Sequence, residues 1–462
     1  MFIMKETITT TQKTEFYRKA IGLTWPIVIQ NLLSAFISSA DVIMLNFVGQ
    51  KAIAAVSLAS QATSILFMFL YGISAGAGML CAQYYGKGDI KAIHVVEGIA
   101  LRISISVATI LFLIGFLAPR YFMLVFTNDL ELVELGIVYL RVVSFSFLFW
   151  SISEVYKAVL RSATRVTVCT VVNIIAFTCN IIFNTIFIFG LFGAPKLGIM
   201  GVALGTSISR FIELICCIVI SIKSTNVKLN LKFMFIKNDL LFKDFVKLSV
   251  PALLNDVVWG LAFTMYSVIL GHLGDDVVAA NAVVSVVRNF GTVLCYGVGA
   301  ATSIILGNEI GEGKMDTAMD HARCMMRLTV ISALIGGVIV LIVMPFALTY
   351  ADLTDTAKGY LKIMLLINTY YIMGTAVNTS LITGVFRSGG DSKFGFICDT
   401  IDMWCYAVPL GLISAFVLKL PVMWVYFLLC TDEFVKWPWV LKHYKSGKWI
   451  KNITRDNIME WY

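Results

Sequence analysis

Long apolar stretches recur along the whole chain, and they constrain its fold more than any other feature. Two of them, Ile103–Pro119 and Val330–Pro345, contain no charged residue and show no alternation of apolar and polar positions. Apolar segments approaching about 20 residues are typical of membrane-spanning helices, whereas barrel strands alternate over about 10 residues. A helix also satisfies its own backbone hydrogen bonds in lipid. The sequence therefore predicts an all-α integral membrane protein.

Charged residues are too few for a soluble fold. They make up 14% of the 462 residues, compared with about 25% in soluble domains. Hydrophobic residues make up 59%, compared with about 45–50% in soluble domains. This balance excludes a soluble enzyme, a secreted disulfide module and a disordered chain. The basic residues that give the chain its net charge of +8 lie between the apolar stretches and do not cluster on one soluble face, so we expect no nucleic-acid partner. The ten cysteines and four histidines lack metal-site spacing, and we expect no cofactor.

Twelve segments are long enough to cross about 30 Å of hydrocarbon. We place them at 20–48, 55–84, 93–118, 132–160, 166–190, 199–222, 248–271, 279–309, 319–346, 358–386, 393–417 and 421–440. Basic residues concentrate in the N-terminal tail, in the central segment 223–247 and in the C-terminal tail. By the positive-inside rule we expect a multi-pass protein of the cell (inner) membrane with both termini in the cytoplasm. Lys157 and Arg161 are assigned to the same cytoplasmic side.

The two halves of the chain repeat each other. At a shift of 225 residues Pro26 aligns with Pro251 and Gly49 with Gly274; at 226, Arg161 aligns with Arg387. Six spans is an even number, so the halves insert in the same orientation and form a parallel repeat. We expect two six-helix lobes at 1–222 and 248–441, a cytoplasmic linker at 223–247 and a cytoplasmic tail at 442–462. Each proline either starts the first helix of its lobe or kinks it.

These features resemble the multidrug and toxic compound extrusion (MATE) family, within the superfamily that includes polysaccharide and lipid flippases. The motifs that carry the resemblance are Pro26, Asp41, Gly49, AQYYGKGD at 82–89, LGIMGVALGT at 197–206, VPALLND at 250–256, GNEIGEGK at 307–314 and RSGGDSKF at 387–394. The resemblance covers nearly the whole chain. It implies a transporter, not an enzyme, that exports amphipathic, often cationic compounds in exchange for protons or sodium ions.

Ionisable residues inside a membrane are expensive, so they are functional candidates. Asp41 lies deep in the first span, Asn180 and Asn184 lie one turn apart on the fifth, and Thr206 lies in the sixth. Their oxygens suit a sodium ion or a proton, and we predict an ion-coupling site here for one of the two; a sodium ion would be held by Asp41 and Asn180. The resemblance implies an ion site in this region, although many relatives carry an aspartate where this chain has Asn184.

A substrate cavity is predicted from acidic and aromatic side chains. Its predicted members are Asp256, Asp399, Trp259, Tyr266, Met44 and Phe36. Carboxylates attract cationic cargo in a low-dielectric cavity, and aromatic faces bind flat cations. Arg210 and Glu213 are three residues apart on the sixth span and are predicted to form a structural pair.

Three functions remain open at this stage. The first is an antiporter for small amphipathic organic cations, which moves its cargo by alternating access between the two lobes. The second is a flippase for lipid-linked oligosaccharides or lipids, whose anionic cargo would favour residues such as Arg141 and Arg288. The third, a membrane enzyme, lacks a metal or nucleophile cluster in the sequence. The expected partners are the cargo and the lipid bilayer, and we expect a monomer.

Overall fold

A computed structural model describes residues 10–224 and 227–456. Within these ranges the side chains of 10, 35, 37–43, 46 and 231 are not described. The helices of the first half are α1 Thr10–Asn46, α2 Gln50–Ala59, α3 Gln61–Lys87, α4 Ile90–Leu117, α5 Pro119–Leu124, α6 Leu130–Ser162, α7 Val166–Phe189 and α8 Ile199–Lys223. Two single 3₁₀ turns, Leu191–Gly193 and Leu231–Phe235, lie in the connections.

The second half repeats this pattern with more interruptions. Its helices are α9 Asp239–Gly271, α10 Asp275–Gly311, α11 Met315–Tyr350, α12 Asp355–Thr379, α13 Ser392–Ile401, α14 Val408–Leu412, α15 Val422–Leu429, α16 Asp432–Val435 and α17 Trp437–Lys445. Three segments are π-helical: Ser380–Phe386, Asp402–Ala407 and Ile413–Val417. π-Helical turns frequently occur at functional sites.

The all-α prediction is confirmed. Ten helices in the described part of the chain are long and apolar enough to cross a membrane, and they match the predicted spans two to eleven. The first predicted span corresponds to α1. The twelfth corresponds to α15, α16 and α17, which divide it into three short helices. Charged residues occupy this interrupted region, as described below.

Both repeat prolines lie inside their helices. Pro26 lies in α1, which already begins at Thr10, and Pro251 lies in α9, which begins at Asp239. The alternative in which each proline starts its helix is therefore wrong. A proline inside a helix removes one backbone donor and frees the carbonyl four residues earlier, at Gly22 in α1 and Lys247 in α9.

The chain divides into two compact units. The first-half unit contains Ile29–Tyr85 and Asp89–Ser249; the second-half unit contains the chain up to Val28, Gly86–Gly88 and the chain from Val250 onward. Each unit has its own apolar core, centred on Leu66, Leu140 and Phe147 in the first-half unit. The core of the second-half unit is centred on Ile269, Met364 and Val425.

Close helix packing holds the second-half core together. A Cβ atom on Gly336 of α11 would lie 2.2 Å from the carbonyl oxygen of Gly291 in α10, so only glycine fits at this crossing. In lipid, van der Waals contact between small residues drives helix association, because lipid tails are as apolar as the side chains. A larger residue at either glycine would push α10 and α11 apart.

Candidate functional site

Three of the four predicted ion-coupling residues meet in the first-half unit. Asn180 and Asn184 lie on one face of α7, and the Asn184 amide donates to Asn180 Oδ1 at 3.3 Å. The Asn180 amide donates to Thr206 Oγ1 of α8 at 3.4 Å. Gly205 permits this approach, because a Cβ atom there would lie 2.1 Å from Asn184 Oδ1. The two asparagines are buried. The side chain of Asp41 lies outside the described residues.

The two first-half residues predicted to line the cavity have different surroundings. Met44 is partly buried and packs against the first-half apolar core. Phe36 is 49% exposed. Neither position is shown to contact cargo, and their assignment to the cavity stays a prediction.

A network of charged side chains crosses the interior of the first-half unit. This first-half network consists of Glu154, Lys157, Arg161, Arg210 and Glu213. Lys157 Nζ lies 2.9 Å from Glu154 Oε2 and 2.6 Å from Glu213 Oε1. Arg161 pairs with Glu154 at 2.8 Å and Arg210 with Glu213 at 2.7 Å. Every acid of the network therefore has two basic partners.

Polar side chains extend this network across α7 to α1. Lys157 donates to Asn173 Oδ1 at 3.0 Å, and the Asn173 amide donates to Gln30 Oε1 at 3.5 Å. Gln30 in turn donates to Thr170 Oγ1 at 2.8 Å. Lys157, Gln30 and Thr170 are buried. The chain of contacts satisfies polar groups that lipid could not.

The structure shows that one basic residue of the network is buried and confirms a predicted pair. Lys157 is only 3% exposed, and its two carboxylate partners hold it in the interior of the unit; its assignment to the cytoplasmic side stays a prediction. The Arg210–Glu213 pair is confirmed. Arg210 also lies over the Trp150 ring, with its guanidinium carbon 4.5 Å from the ring centroid.

A second group of charges is buried in the second-half unit. This second-half cluster consists of Asp399, Asp402, Asp432, Glu433 and Lys436. Lys436 Nζ lies 3.0 Å from both Asp399 Oδ1 and Glu433 Oε2, and 3.7 Å from Asp402 Oδ2. All five side chains are buried. Three of the four acids thus lie within 3.7 Å of the Lys436 ammonium.

Neutral hydrogen-bond donors support part of this cluster. Asn255 donates to Asp399 Oδ2 at 2.7 Å, and Tyr266 donates to Asp432 Oδ2 at 3.0 Å. Asn378 donates to Glu433 Oε2 at 2.6 Å. Neither oxygen of Asp402 has a hydrogen-bond partner among the residues that the structure describes. Asp402 is therefore the least satisfied acid of the cluster.

Sequence reasoning missed most of the second-half cluster. It selected Asp399 but not Asp432, Glu433 or Lys436, although all three lie within the predicted twelfth span. Three charged residues within five positions of an apolar segment are a signal of an intramembrane site. The break between α15 and α17 places these side chains beside α13.

The predicted cavity residue Asp256 has a different environment from Asp399. Its carboxylate lies 3.7 Å from Arg387 Nη2, and its side chain is 32% exposed. Asp399 is 5% exposed and is paired with Lys436. Asp256 is thus the more accessible of the two acids.

Two adjoining cavities lie within the second-half unit. The larger has a volume of about 310 Å³ and the smaller about 80 Å³. Tyr266 lines the larger and Trp259 the smaller, whereas Asp256 and Asp399 line neither, and the assignment of these residues to a substrate cavity stays a prediction. Phe263, Arg288 and Tyr371 line both. Within 10–224 and 227–456 no three His, Cys, Asp or Glu side chains are arranged to hold a metal ion.

The internal repeat relates the two charged groups. At the shift of 226 residues, Arg210 of the first-half network aligns with Lys436 of the second-half cluster. Asn173, which binds Lys157, aligns with Asp399, which binds Lys436. The basic position and the polar position therefore match between the units, but the pairing differs, because Asn173 binds Lys157 whereas Asp399 binds Lys436.

Comparisons with known proteins agree on one family. The MatE family model matches residues 26–186 and 251–413. The transporter YisQ of Bacillus subtilis is 26% identical over 93% of this chain and 94% of its own. A Thermotoga maritima protein named probable multidrug resistance protein NorM is 22% identical over 96% of both chains. The Vibrio cholerae MATE transporter VcmN in its bent form superposes with a TM-score of 0.85 at 15% identity, over 96% of this chain and 100% of its own.

Proposed function

Because the chain belongs to the MATE family of multi-pass membrane transporters, we propose that it exports amphipathic organic compounds, cations among them, in exchange for protons or sodium ions. The relatives whose names specify multidrug resistance support a drug-like cargo. The aromatic lining of the two second-half cavities supports the same cargo class, because aromatic faces attract flat cations.

The observation that carries the proposal is the excess of acid in the second-half cluster. Four buried carboxylates face one ammonium group, and an unpaired ion inside the membrane costs several kcal/mol. Protons that bind and leave these carboxylates supply a natural link to an ion gradient. The ammonium of Lys436 lies between Asp399 and Glu433, so a sodium ion bound there would have to displace it. We therefore assign the ion exchange at the second-half cluster to protons.

The first-half coupling site remains the proposed partner of this cluster. We propose that Asp41, Asn180, Asn184 and Thr206 bind the coupling ion in the first lobe. The contacts among the last three support this assignment. Asparagine and threonine oxygens suit sodium, whereas Asp41 can carry either ion.

The test uses ethidium efflux in everted vesicles, with pH and sodium gradients imposed separately. The Asp41→Asn variant is expected to abolish gradient-driven efflux at normal expression. Asp41→Glu, which keeps the carboxylate, serves as the matched control and is expected to retain part of the activity. Near-normal pumping by Asp41→Asn would contradict the first-half site. The gradient that drives the wild-type protein identifies the ion.

The predicted preference for cationic cargo has its own test. Asp256 is accessible and acidic, and we propose that it attracts cationic cargo. Asp256→Asn is then expected to reduce ethidium efflux more than efflux of a neutral dye, since a neutral dye gains little from a carboxylate. Equal losses for both dyes would assign Asp256 a structural role with Arg387.

The transport cycle follows from the parallel repeat. We propose alternating access between the two lobes in the inner membrane, with both termini in the cytoplasm and the monomer as the working unit. The basic segment 223–247 supports this orientation, because positive loops stay on the cytoplasmic side.

A flippase for lipid-linked oligosaccharides or lipids is the second candidate. The observation that favours it is Arg288 in the wall of both cavities, which suits an anionic headgroup. Proteoliposomes with a fluorescent anionic lipid distinguish the two functions. Lipid translocation without ethidium efflux under either gradient would favour the flippase over the antiporter.

A further inference from the structure

The first part of the segment between the two repeats is anchored to the first-half unit. The Leu229 amide donates to Ser221 Oγ of α8 at 2.7 Å. A Cβ atom on Gly98 of α4 would lie 2.4 Å from the Phe233 carbonyl oxygen, so the backbone here lies directly against α4. The centroid of the Phe233 ring also lies 5.3 Å from that of the His94 ring. These contacts fix the point from which the following residues extend.

Beyond this anchor the chain exposes large apolar side chains among lysines. Phe235 is 84% exposed and Leu240 is 56% exposed. Lys237, Lys243 and Lys247 are exposed as well. None of these lysines forms an ion pair with a carboxylate in the part of the chain that the structure describes. We call these five residues the linker patch.

The first two turns of α9 carry three members of the linker patch on one face. The side chain of Asn238 accepts a hydrogen bond from the Leu241 amide at 3.0 Å and so caps the start of the helix. Leu240, Lys243 and Lys247 follow at spacings of three and four residues, which places them one above another. Leu241, on another face, is fully buried. An exposed helix face that combines leucine with lysine suits the boundary between lipid and water.

The length of α9 places this face at the level of the lipid headgroups. Its 33 residues extend about 50 Å, whereas the hydrocarbon core of a bilayer measures about 30 Å. Four of its five charged residues lie between Asp239 and Lys247, so this is the end that lies outside the hydrocarbon. At this depth apolar side chains enter the acyl boundary, and lysine ammonium groups extend towards the phosphates.

The charge of the segment favours an anionic headgroup. Residues 228–247 contain five lysines and two aspartates, a net charge of +3. Asp239 lies one turn before Lys243 and reduces the attraction, but the lysines remain in excess. Each basic residue near a membrane surface strengthens binding to anionic lipid about fivefold. A dissolved anion would use the lysines alone, whereas a lipid also covers Phe235 and Leu240.

We propose that the linker patch binds anionic phospholipids. Lys237, Lys243 and Lys247 bind the phosphate groups, and Phe235 and Leu240 insert beside the acyl chains. The site shares no residue with the two cavities or with the proposed coupling site. It depends on α9 spanning the membrane and on no assumption about the cargo.

Native mass spectrometry of the full-length protein in detergent tests the site. The probes are phosphatidylglycerol and phosphatidylcholine with identical palmitoyl and oleoyl chains, and the dissociation constant of the first bound lipid is measured for each. Wild-type protein is expected to bind phosphatidylglycerol roughly tenfold or more tightly than phosphatidylcholine. Lys243→Gln combined with Lys247→Gln is expected to weaken phosphatidylglycerol binding roughly tenfold or more and phosphatidylcholine binding less than about twofold. Arginine at both positions keeps the charge and is expected to retain the preference.

A matched control separates the linker patch from the general charge of the protein. Lys196 and Lys419 are exposed, and neither has another basic residue within ten positions. Lys196→Gln combined with Lys419→Gln removes the same charge and is expected to bind both lipids as the wild type does. Equal affinity of the wild type for the two lipids would overturn the proposal. An unchanged phosphatidylglycerol affinity in the Lys243 and Lys247 double variant would overturn it too.

Two further measurements locate the ligand and identify its class. Phosphatidylglycerol with a diazirine on its acyl chain is expected to label residues within 235–247, as mapped by peptide mass spectrometry; labelling confined to other segments would place the lipid elsewhere and contradict the proposal. Dissolved glycerol 3-phosphate is expected not to compete with the lipid at equal concentration. Effective competition would assign the lysines to a soluble anion instead of a membrane lipid.

Discussion

The two halves of this protein bury charge in opposite balances. The first-half network contains three basic side chains and two acids, and each acid has two basic partners within 2.9 Å. The second-half cluster contains one basic side chain and four acids. The halves share a repeat and matching basic positions, Arg210 and Lys436. A duplicated architecture has thus acquired two different electrostatic environments.

The difference indicates that the first-half network and the second-half cluster have different roles. In the first-half network each carboxylate is stabilised in its charged form by two basic partners, so we expect no proton exchange there. We assign this network to holding α6, α7 and α8 together. An acid excess stays in the membrane only if protons or a cation compensate it. The second-half cluster is therefore the more sensitive of the two to ionic conditions, and Lys436 is the residue on which its stability depends most.

The largest effect is expected from Lys436→Met. Methionine has a similar length but no charge, so the variant leaves four buried carboxylates without a cation. Removal of one partner from a buried ion pair typically costs about 3–5 kcal/mol. Thermal unfolding of detergent-purified protein, followed by size-exclusion fluorescence, measures the loss. Lys442→Met, at an exposed position of α17, is the matched control and is expected to keep the wild-type midpoint. Equal unfolding midpoints for Lys436→Met and Lys442→Met would show that the second-half cluster does not depend on Lys436, which would contradict the proposed difference between the halves.

A smaller effect should separate two acids of the same cluster. Asp399→Asn weakens contacts with both Asn255 and Lys436, and a loss of about 1–3 kcal/mol is expected. Asp402→Asn removes a carboxylate whose oxygens accept no hydrogen bond from the described residues, so stability is expected to stay the same or rise. The same unfolding assay compares them. A larger loss for Asp402→Asn would show that its charge is needed and that the acids are not in excess.

The smallest measurable loss is expected from Lys157→Met in the first half. Glu154 Oε2, Glu213 Oε1 and Asn173 Oδ1 lose the Lys157 ammonium. Because Arg161 still pairs with Glu154 and Arg210 with Glu213, neither acid is left without a cation, and a loss of about 1 kcal/mol is expected. Lys51→Met removes an exposed pair with Glu131 and is expected to leave the unfolding midpoint unchanged. If Lys157→Met destabilised the protein as much as Lys436→Met, the two halves would be electrostatically equivalent.

Sequence reasoning predicted the helices far better than the charged interior. The predicted spans two to eleven each match a helix, although α9 begins well before the predicted residue 248, because an apolar segment of sufficient length is a local property. Asn180 and Asn184 lie on one helix face, as their i,i+4 spacing predicted, and Thr206 contacts Asn180; the predicted convergence of all three on Asp41 stays a prediction. The burial of Lys157 was not predicted, because a basic residue near a span end has the same sequence pattern whether its side chain contacts water or a carboxylate.

The sequence by itself determined the membrane class, the helical fold, the parallel repeat and the family resemblance. Each of these depends on hydropathy, on residue order or on spacing, which are fixed along the chain. Only the tertiary structure decided that Lys436 neutralises Asp399, that Lys157 lies between Glu154 and Glu213, and that Arg288 faces a cavity without a carboxylate. The physical reason is that charge pairing depends on distances of about 3 Å between helices far apart in the sequence, and no local pattern specifies which helices come that close.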